Sequence, residues 1–271
     1  MVKNVPEYVA ARRVLLDALT ALDSHRNNLV LVGAQAIYHH TGGANAINVP
    51  LMTTDADLAV NTADLADVPE IGETLRAAGF SPGSNPGHWI ALSDVAVDLM
   101  VVPHQSGTAR ASARAARIPP HDKSTARIAR GLEPALIDNE VVTLSALDPA
   151  DGRTLEARVA GPAALLTAKV IKIAERLDQA PRQPDRLKEK DALDALRLLQ
   201  AIDTPELIRG FQLHRAEEHA AAVTAEALRI MHEHATAIDS RLPQLAASAS
   251  SGDPTIAPAF AALVADLFRA M

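Results

Sequence analysis

The chain has no cysteine among its 271 residues, and that absence removes several chemistries at once. A disulfide framework, a thiol nucleophile and a cysteine-ligated zinc site are excluded, and a reducing compartment fits. No run approaches the roughly 18 apolar residues that a membrane span requires. Met1 to Ala10 carries Lys3, Asn4, Pro6 and Glu7 and no apolar core of signal-peptide length, so a cytoplasmic protein without a membrane partner is expected. Positive charge is also short: 26 Lys and Arg stand against 33 Asp and Glu, a formal net charge of −7. The molecule as a whole therefore does not advertise nucleic-acid binding. Its length suffices for one large domain or two modest ones, and either buries enough apolar surface to fold without staples.

What is present is a set of three aspartates in two short apolar stretches. Asp55 and Asp57 lie in Thr53-Thr54-Asp55-Ala56-Asp57-Leu58-Ala59-Val60, and Asp98 lies in Val95-Ala96-Val97-Asp98-Leu99-Met100-Val101-Val102. Both stretches read as strands. Because a strand alternates faces at every residue, Asp55 and Asp57 share one face while Ala56, Leu58 and Val60 point into a core. Bringing Asp98 beside them gathers three negative charges, an arrangement that calls for a divalent cation, and carboxylate oxygens suit Mg²⁺ (or Mn²⁺). Upstream, the apolar run Leu29 to Val32 ends at Gly33, and Ala34 to His40 favours a helix. At Gly33 the missing side chain would let backbone N–H groups approach a phosphate at the start of that helix.

Elsewhere the first half alternates. Val5 to Leu22 reads as an amphipathic helix and Pro69 to Ala78 as another. A turn cluster at Ser81 to Gly87 precedes a hairpin of His88 to Leu92 with the Asp98 strand, joined through Ser93-Asp94. Short strands are expected near Val141 to Leu144 and Leu155 to Val159. From Pro162 onward the pattern is helical, over Ala163 to Leu177, Asp185 to Gln200, Pro205 to about Thr236 and Pro258 to Met271, with Ala247 to Pro254 as a flexible link. The expectation is an α+β fold, a small mixed-sheet core followed by a helical C-terminal domain. Its divisions are 1–110 (core), 111–160 (basic connection) and 161–271 (helices).

The order Leu29 to Gly33 and Ala34, then Thr53-Thr54-Asp55-Ala56-Asp57, then Val97-Asp98-Leu99 resembles the DNA polymerase β-like nucleotidyltransferase superfamily. Ala164-Leu165-Leu166-Thr167-Ala168-Lys169, followed by Arg186-Leu187-Lys188-Glu189-Lys190-Asp191-Ala192-Leu193-Asp194, is similar to the helical portion of its AbiEii-type and MenT-type toxins. The resemblance spans about Leu29 to Leu199 without the basic middle. It implies metal binding by Asp55, Asp57 and Asp98, and an NTP whose phosphates meet Gly33, Ala34, Lys169 and Lys172. Thr53 stands where the family often has Ser or Thr, and Asp191 completes the site. The implied activity is transfer of NMP from an NTP to an acceptor, with the tRNA acceptor end as the family's target and a cognate antitoxin as a possible partner. Two features depart from the family: Ala34 stands where serine is common, and Thr41 to Met52 makes a long connection before Asp55.

Charge is unevenly spread. Between residues 110 and 130 lie Arg110, Arg114, Arg117, Lys123, Arg127 and Arg130, with Asp122 the only acid, a patch able to contact RNA inside an acidic protein or to form a solvated basic helix. Lys169, Lys172 and Arg176 recur at helical steps, and salt bridges to Glu175 or Asp178 compete with a phosphate role. For Asp194 a bridge to Lys190 or Arg197 is expected. Trp89 reads as a core or hairpin anchor, and Tyr38 could stack a base. His214, His219, His232 and His234 lack the spacing of a zinc hydrolase and read as exposed helix residues. Two other readings stand beside the toxin: a nucleotidyltransferase acting on a small molecule of antibiotic type, which the acidic charge favours, and a nucleotide-binding module that has lost catalysis, which Ala34 suggests.

Overall fold

The computed structural model describes residues 5–42, 51–110 and 112–271, so most of the Thr41 to Met52 connection and residues 1–4 lie outside the described residues. The chain forms an α+β fold with two compact units. One comprises Met1–Ala36, Pro50–Ala129 and Asn139–Ala160; the other comprises Ile37–Val49, Arg130–Asp138 and Gly161–Met271. The basic connection anticipated over 111–160 is thus no separate piece. Most of it belongs to the first unit, because both of its expected strands join that unit's sheet.

That sheet has eight strands: β1 (Leu29–Val32), β2 (Asp55–Val60), β3 (Ser81–Pro82), β4 (His88–Ile90), β5 (Ala96–Val101), β6 (Arg127–Ile128), β7 (Asn139–Ser145) and β8 (Thr154–Ala160). Their order is β3-β4-β5-β2-β1-β8-β7, with β6 also paired to β5. β1 runs antiparallel to β2, while β2 and β5 are parallel, so the sheet is mixed. Helices α1 (Pro6–Ala21), α2 (Gly33–Thr41) and α3 (Ile71–Ala77) are interleaved with the strands. Leu15, Leu16 and Leu19 on α1 are almost wholly buried, and α1 lies against β2, β5 and β8. Burial of each such leucine stabilises the fold by roughly 1.5–3 kcal/mol. Trp89, at the centre of β4, is fully buried and donates its indole N–H to the Thr125 carbonyl.

Two buried histidines pin the loop before α3. Pro69 O accepts from His25 Nε2 at 2.7 Å, and Ala66 O accepts from His121 Nε2 at 3.1 Å, while the Ile71 N–H donates to His121 Nδ1. The His121 ring, accepting at Nδ1, is therefore the neutral Nε2–H tautomer, and it meets the His25 ring edge to face at 5.6 Å. Burial pushes the His121 pKa below the ordinary histidine value. A folded pKa below the unfolded one means that the unfolded chain takes up the proton first. Stability should therefore be full above the unfolded value of about 6.5 and fall as pH drops through it, by at most ~1.4 kcal/mol per pH unit per proton. In urea titrations at pH 7.5 and 5.5, His121→Gln should show a smaller acid loss than wild type.

The second unit holds α4 (Pro162–Gln179), α5 (Lys190–Ala201), α6 (Thr204–His214), α7 (Glu218–His234), α8 (Arg241–Ala249) and α9 (Ile256–Ala270). Where one helix was expected from Pro205 to Thr236 there are two, because the Glu217 carboxylate caps α7 by accepting from the N–H groups of His219 and Ala220. The link expected from Ala247 begins only after Ala249: α8 buries Leu242 and Ala246, and the turn follows at Ser251 and Gly252, both with positive φ. α5 starts later than expected, at Lys190, after a short 3₁₀ turn at Pro184–Arg186. His214 is not an exposed helix residue. It is fully buried, hydrogen-bonded to Thr224 Oγ1 at 2.8 Å and to Asp138 Oδ2 at 3.0 Å, and the same Asp138 oxygen accepts from the Ala164 N–H in the first turn of α4. With the imidazole wholly out of solvent, the trio anchors helices.

Candidate functional site

In the three adjacent inner strands β1, β2 and β5, every residue is buried except three, and those three are Asp55, Asp57 and Asp98. Register accounts for their meeting. Asp57 and Asp98 are direct partners in the parallel β2–β5 ladder, and Asp55 lies two residues along on the same face. Asp57 also pairs with Val32, the last residue of β1, so the carboxylates lie beside the turn into α2.

Gly33 occupies that turn with φ +68°. A Cβ added there would overlap Asp57 Oδ2 and lie 2.8 Å from its Cγ. The absent side chain therefore makes room for the aspartate itself, an explanation that differs from the phosphate approach expected from sequence. Ala34 is buried, and the next residue, Gln35, donates Nε2–H to the Asp55 carbonyl at 3.1 Å. Gln35 Oε1 in turn accepts from the buried Arg12 guanidinium, which also donates to the Ser145 carbonyl and the Tyr8 hydroxyl. Thr53 is buried and donates its hydroxyl to Asp55 Oδ1 at 2.8 Å, which orients the carboxylate.

Asp98 is gripped from two sides. Oδ1 accepts from His88 Nδ1 at 2.6 Å and Oδ2 accepts from the Arg127 guanidinium at 3.2 Å. Neither partner was anticipated. His88 sits directly across the β4–β5 ladder from Asp98, one residue off the register that a two-residue turn at Ser93-Asp94 would set, which would have placed Trp89 there. Arg127 reaches the site through β6, a two-residue strand with no local signature.

The basic stretch therefore divides. Arg110, Arg114, Arg117 and Lys123 are exposed, Arg127 is turned onto Asp98, and Arg130 is paired with Glu226 of α7. The residues between 112 and 126 form no helix, so the basic-helix alternative does not hold.

In the second unit, Lys169 on α4 is buried, with its ammonium 2.6 Å from Asp191 Oδ1 and 2.8 Å from Asp194 Oδ2. Lys172, one turn on and half exposed, meets Asp191 at 3.0 Å, and Lys190 meets Asp194 at 3.5 Å. Burial alone would lower the Lys169 pKa, but the charges of Asp191 and Asp194 outweigh it and hold the ammonium well above the ordinary lysine value. Burial would likewise raise Asp191, and Lys169 and Lys172 outweigh it, holding that carboxyl far below the usual range. Asp194 does bridge Lys190, as expected, but its closer partner is Lys169. Tyr38 is buried beneath the cations of Lys190 and Arg197, 5.7 and 6.0 Å from its ring centroid, and its ring is not presented to solvent for base stacking.

No protein-family model, curated protein or solved structure matches the chain. Among the described residues no helix is long and apolar enough to cross a membrane.

Proposed function

We propose that this chain is a metal-dependent nucleotidyltransferase that moves NMP from an NTP to an acceptor. One observation carries the reading: among the described residues, the three positions left unburied in the inner strands are all aspartate, set in register at a glycine turn cut to fit one of them. An all-oxygen donor set and the cradle at Gly33 fit Mg²⁺ or Mn²⁺. Bound there, the cation would supply charge neutralisation and alignment for in-line displacement at the α-phosphate. The protein's part is placement. Thr53 and Gln35 fix Asp55, Gly33 admits Asp57, and His88 fixes Asp98, so the carboxylates need no rearrangement on loading.

RNA, by family likeness a tRNA acceptor end, is the acceptor this reading favours, and the enzyme is one half of a toxin–antitoxin pair. Exposed Arg110, Arg114, Arg117 and Lys123, in the same unit as the carboxylates, support RNA contact. The net charge of −7 favours the second reading, a cationic small-molecule acceptor.

Incubation of the purified protein with each α-labelled NTP, Mg²⁺ and total RNA should label a tRNA-sized band. Asp57→Asn should lower that labelling by ~100-fold or more, and induction of wild type, but not of this variant, should slow bacterial growth. Label in a small-molecule fraction alone would select the second reading. Absence of transfer despite NTP binding would leave a nucleotide-binding module without catalysis.

A further inference from the structure

A site built of three carboxylates repels the polyphosphate it is meant to receive, and a cation that is part of the protein can offset this. Arg127 places such a cation on the trio, hydrogen-bonded to Asp98 Oδ2 at 3.2 Å. Its placement is rigid. β6 pairs with β5 through Met100↔Arg127, and an isolated bridge joins Arg127 to Ala115, so the backbone is held on two sides. Gly87 makes this convergence possible: with φ +74° it accepts from the Leu99 N–H and donates to Ser124 O, and a Cβ there would collide with Leu99 O and the Arg127 nitrogen. β4 and β6 thus meet end to end along β5, and each delivers one group to Asp98.

The guanidinium is under-used where it stands. It has five N–H donors, and among the described residues its one side-chain bond is to Asp98 Oδ2 at 3.2 Å, with 31% of the side chain exposed. His88 already holds the other Asp98 oxygen at the shorter distance of 2.6 Å, so Arg127 is not required to orient that carboxylate. A planar fork tethered at one corner, with donors to spare, is suited to bidentate binding of phosphate oxygens.

Resting on the nucleotidyltransferase reading, we infer that Arg127 is the phosphate-binding residue of this site. It is parked on Asp98 in the free protein and engages the NTP polyphosphate beside the metal. Ala34, which offers no hydroxyl, leaves this grip to the guanidinium.

Two titrations on the full chain test this: calorimetry with each of the four NTPs in Ca²⁺, and Mn²⁺ binding without nucleotide followed by electron paramagnetic resonance. Arg127→Gln should weaken binding of the preferred NTP by roughly 10- to 100-fold, and Arg127→Lys should be intermediate. Mn²⁺ affinity without nucleotide should stay within about threefold of wild type, because Asp98 keeps His88. The exposed control Arg114→Gln should bind NTP as wild type does. Equal NTP affinity in Arg127→Gln and wild type would overturn the assignment while leaving the reaction class standing. Parallel loss of Mn²⁺ and NTP would also overturn it, since Arg127 would then act only by holding Asp98. A wild-type protein that binds neither Mn²⁺ nor any NTP would sink the nucleotidyltransferase reading and this assignment with it. Thermal unfolding of Arg127→Gln and Arg127→Lys identifies a folding defect, and the lysine variant carries the test if glutamine fails to fold.

Discussion

Gly33→Ala should abolish metal binding at the aspartate cluster and cost about 2–4 kcal/mol of stability, a large effect for one methyl group. Two penalties add. At φ +68° any L side chain is strained, which accounts for about 1 kcal/mol. The larger part is steric, because the new Cβ would occupy the volume of the Asp57 carboxylate. Asp57 cannot simply turn away: its backbone is fixed between Val32 and Asp98 in the ladders, and Ala56 and Leu58 on either side are buried. The variant must therefore push β1 from β2 or drive the carboxylate into a poor rotamer. Urea unfolding and Mn²⁺ titration should fall together. A Gly33→Ala protein that loses stability but binds Mn²⁺ normally would show that Asp57 is not a ligand. The counterpart Asp57→Gly in the Gly33→Ala background should recover stability without recovering metal, since it removes the clash and the ligand at once.

The same glycine shows how far sequence reasoning reached. The positions of β1, β2 and β5 were legible because their runs of Leu, Val and Ala are continuous and bounded by turn residues, and the aspartates interrupt them at the period of a strand. The sharing of a face by Asp55 and Asp57 followed from that period alone. What Gly33 does was not legible, because its neighbour across the turn is 24 positions away and only the pairing Val32↔Asp57 brings it there. Arg127 was hidden for the same reason: its partner strand lies 27 residues earlier, and two residues carry no periodicity. His88 was missed by one residue: a two-residue turn at Ser93-Asp94 sets Trp89 opposite Asp98, whereas the observed register sets His88 there. In the helical unit, the break before α7 was missed because Glu217 caps through its own side chain, while Gly and Pro are the usual signs of a stop.

Lys169 tests whether a residue named for chemistry is also holding the fold together. Lys169→Met should destabilise the protein by about 2–4 kcal/mol at pH 7, because it leaves Asp191 and Asp194, both almost wholly buried, short of their closest cation. The loss falls toward the lower end of that range where other ammonium groups help: Lys172 remains 3.0 Å from Asp191 and Lys190 remains 3.5 Å from Asp194. Asp194 is the worse placed, since its Oδ1 already lacks a hydrogen-bond partner among the described residues. Adding Asp194→Leu to Lys169→Met should therefore recover at least half of the loss, as replacing a buried pair by apolar side chains does elsewhere. pH gives the sharper signature. In wild type the Asp191 pKa is held down by Lys169 and Lys172, so its contribution is present above the unfolded carboxylate value of about 3.9 and is lost only in strong acid. In Lys169→Met burial acts on Asp191 against Lys172 alone and pushes its carboxyl pKa up from the wild-type position, so the stability gap between variant and wild type should narrow as pH falls from 7 to 5. A stability gap that stays constant across that range would mean that neither carboxylate is left uncompensated. No stability gap at all would return Lys169 to the role its motif implies, a cation kept for phosphate. Measured beside NTP affinity, the two results separate a lysine that binds substrate from one whose first task is to neutralise the pair of aspartates packed around it.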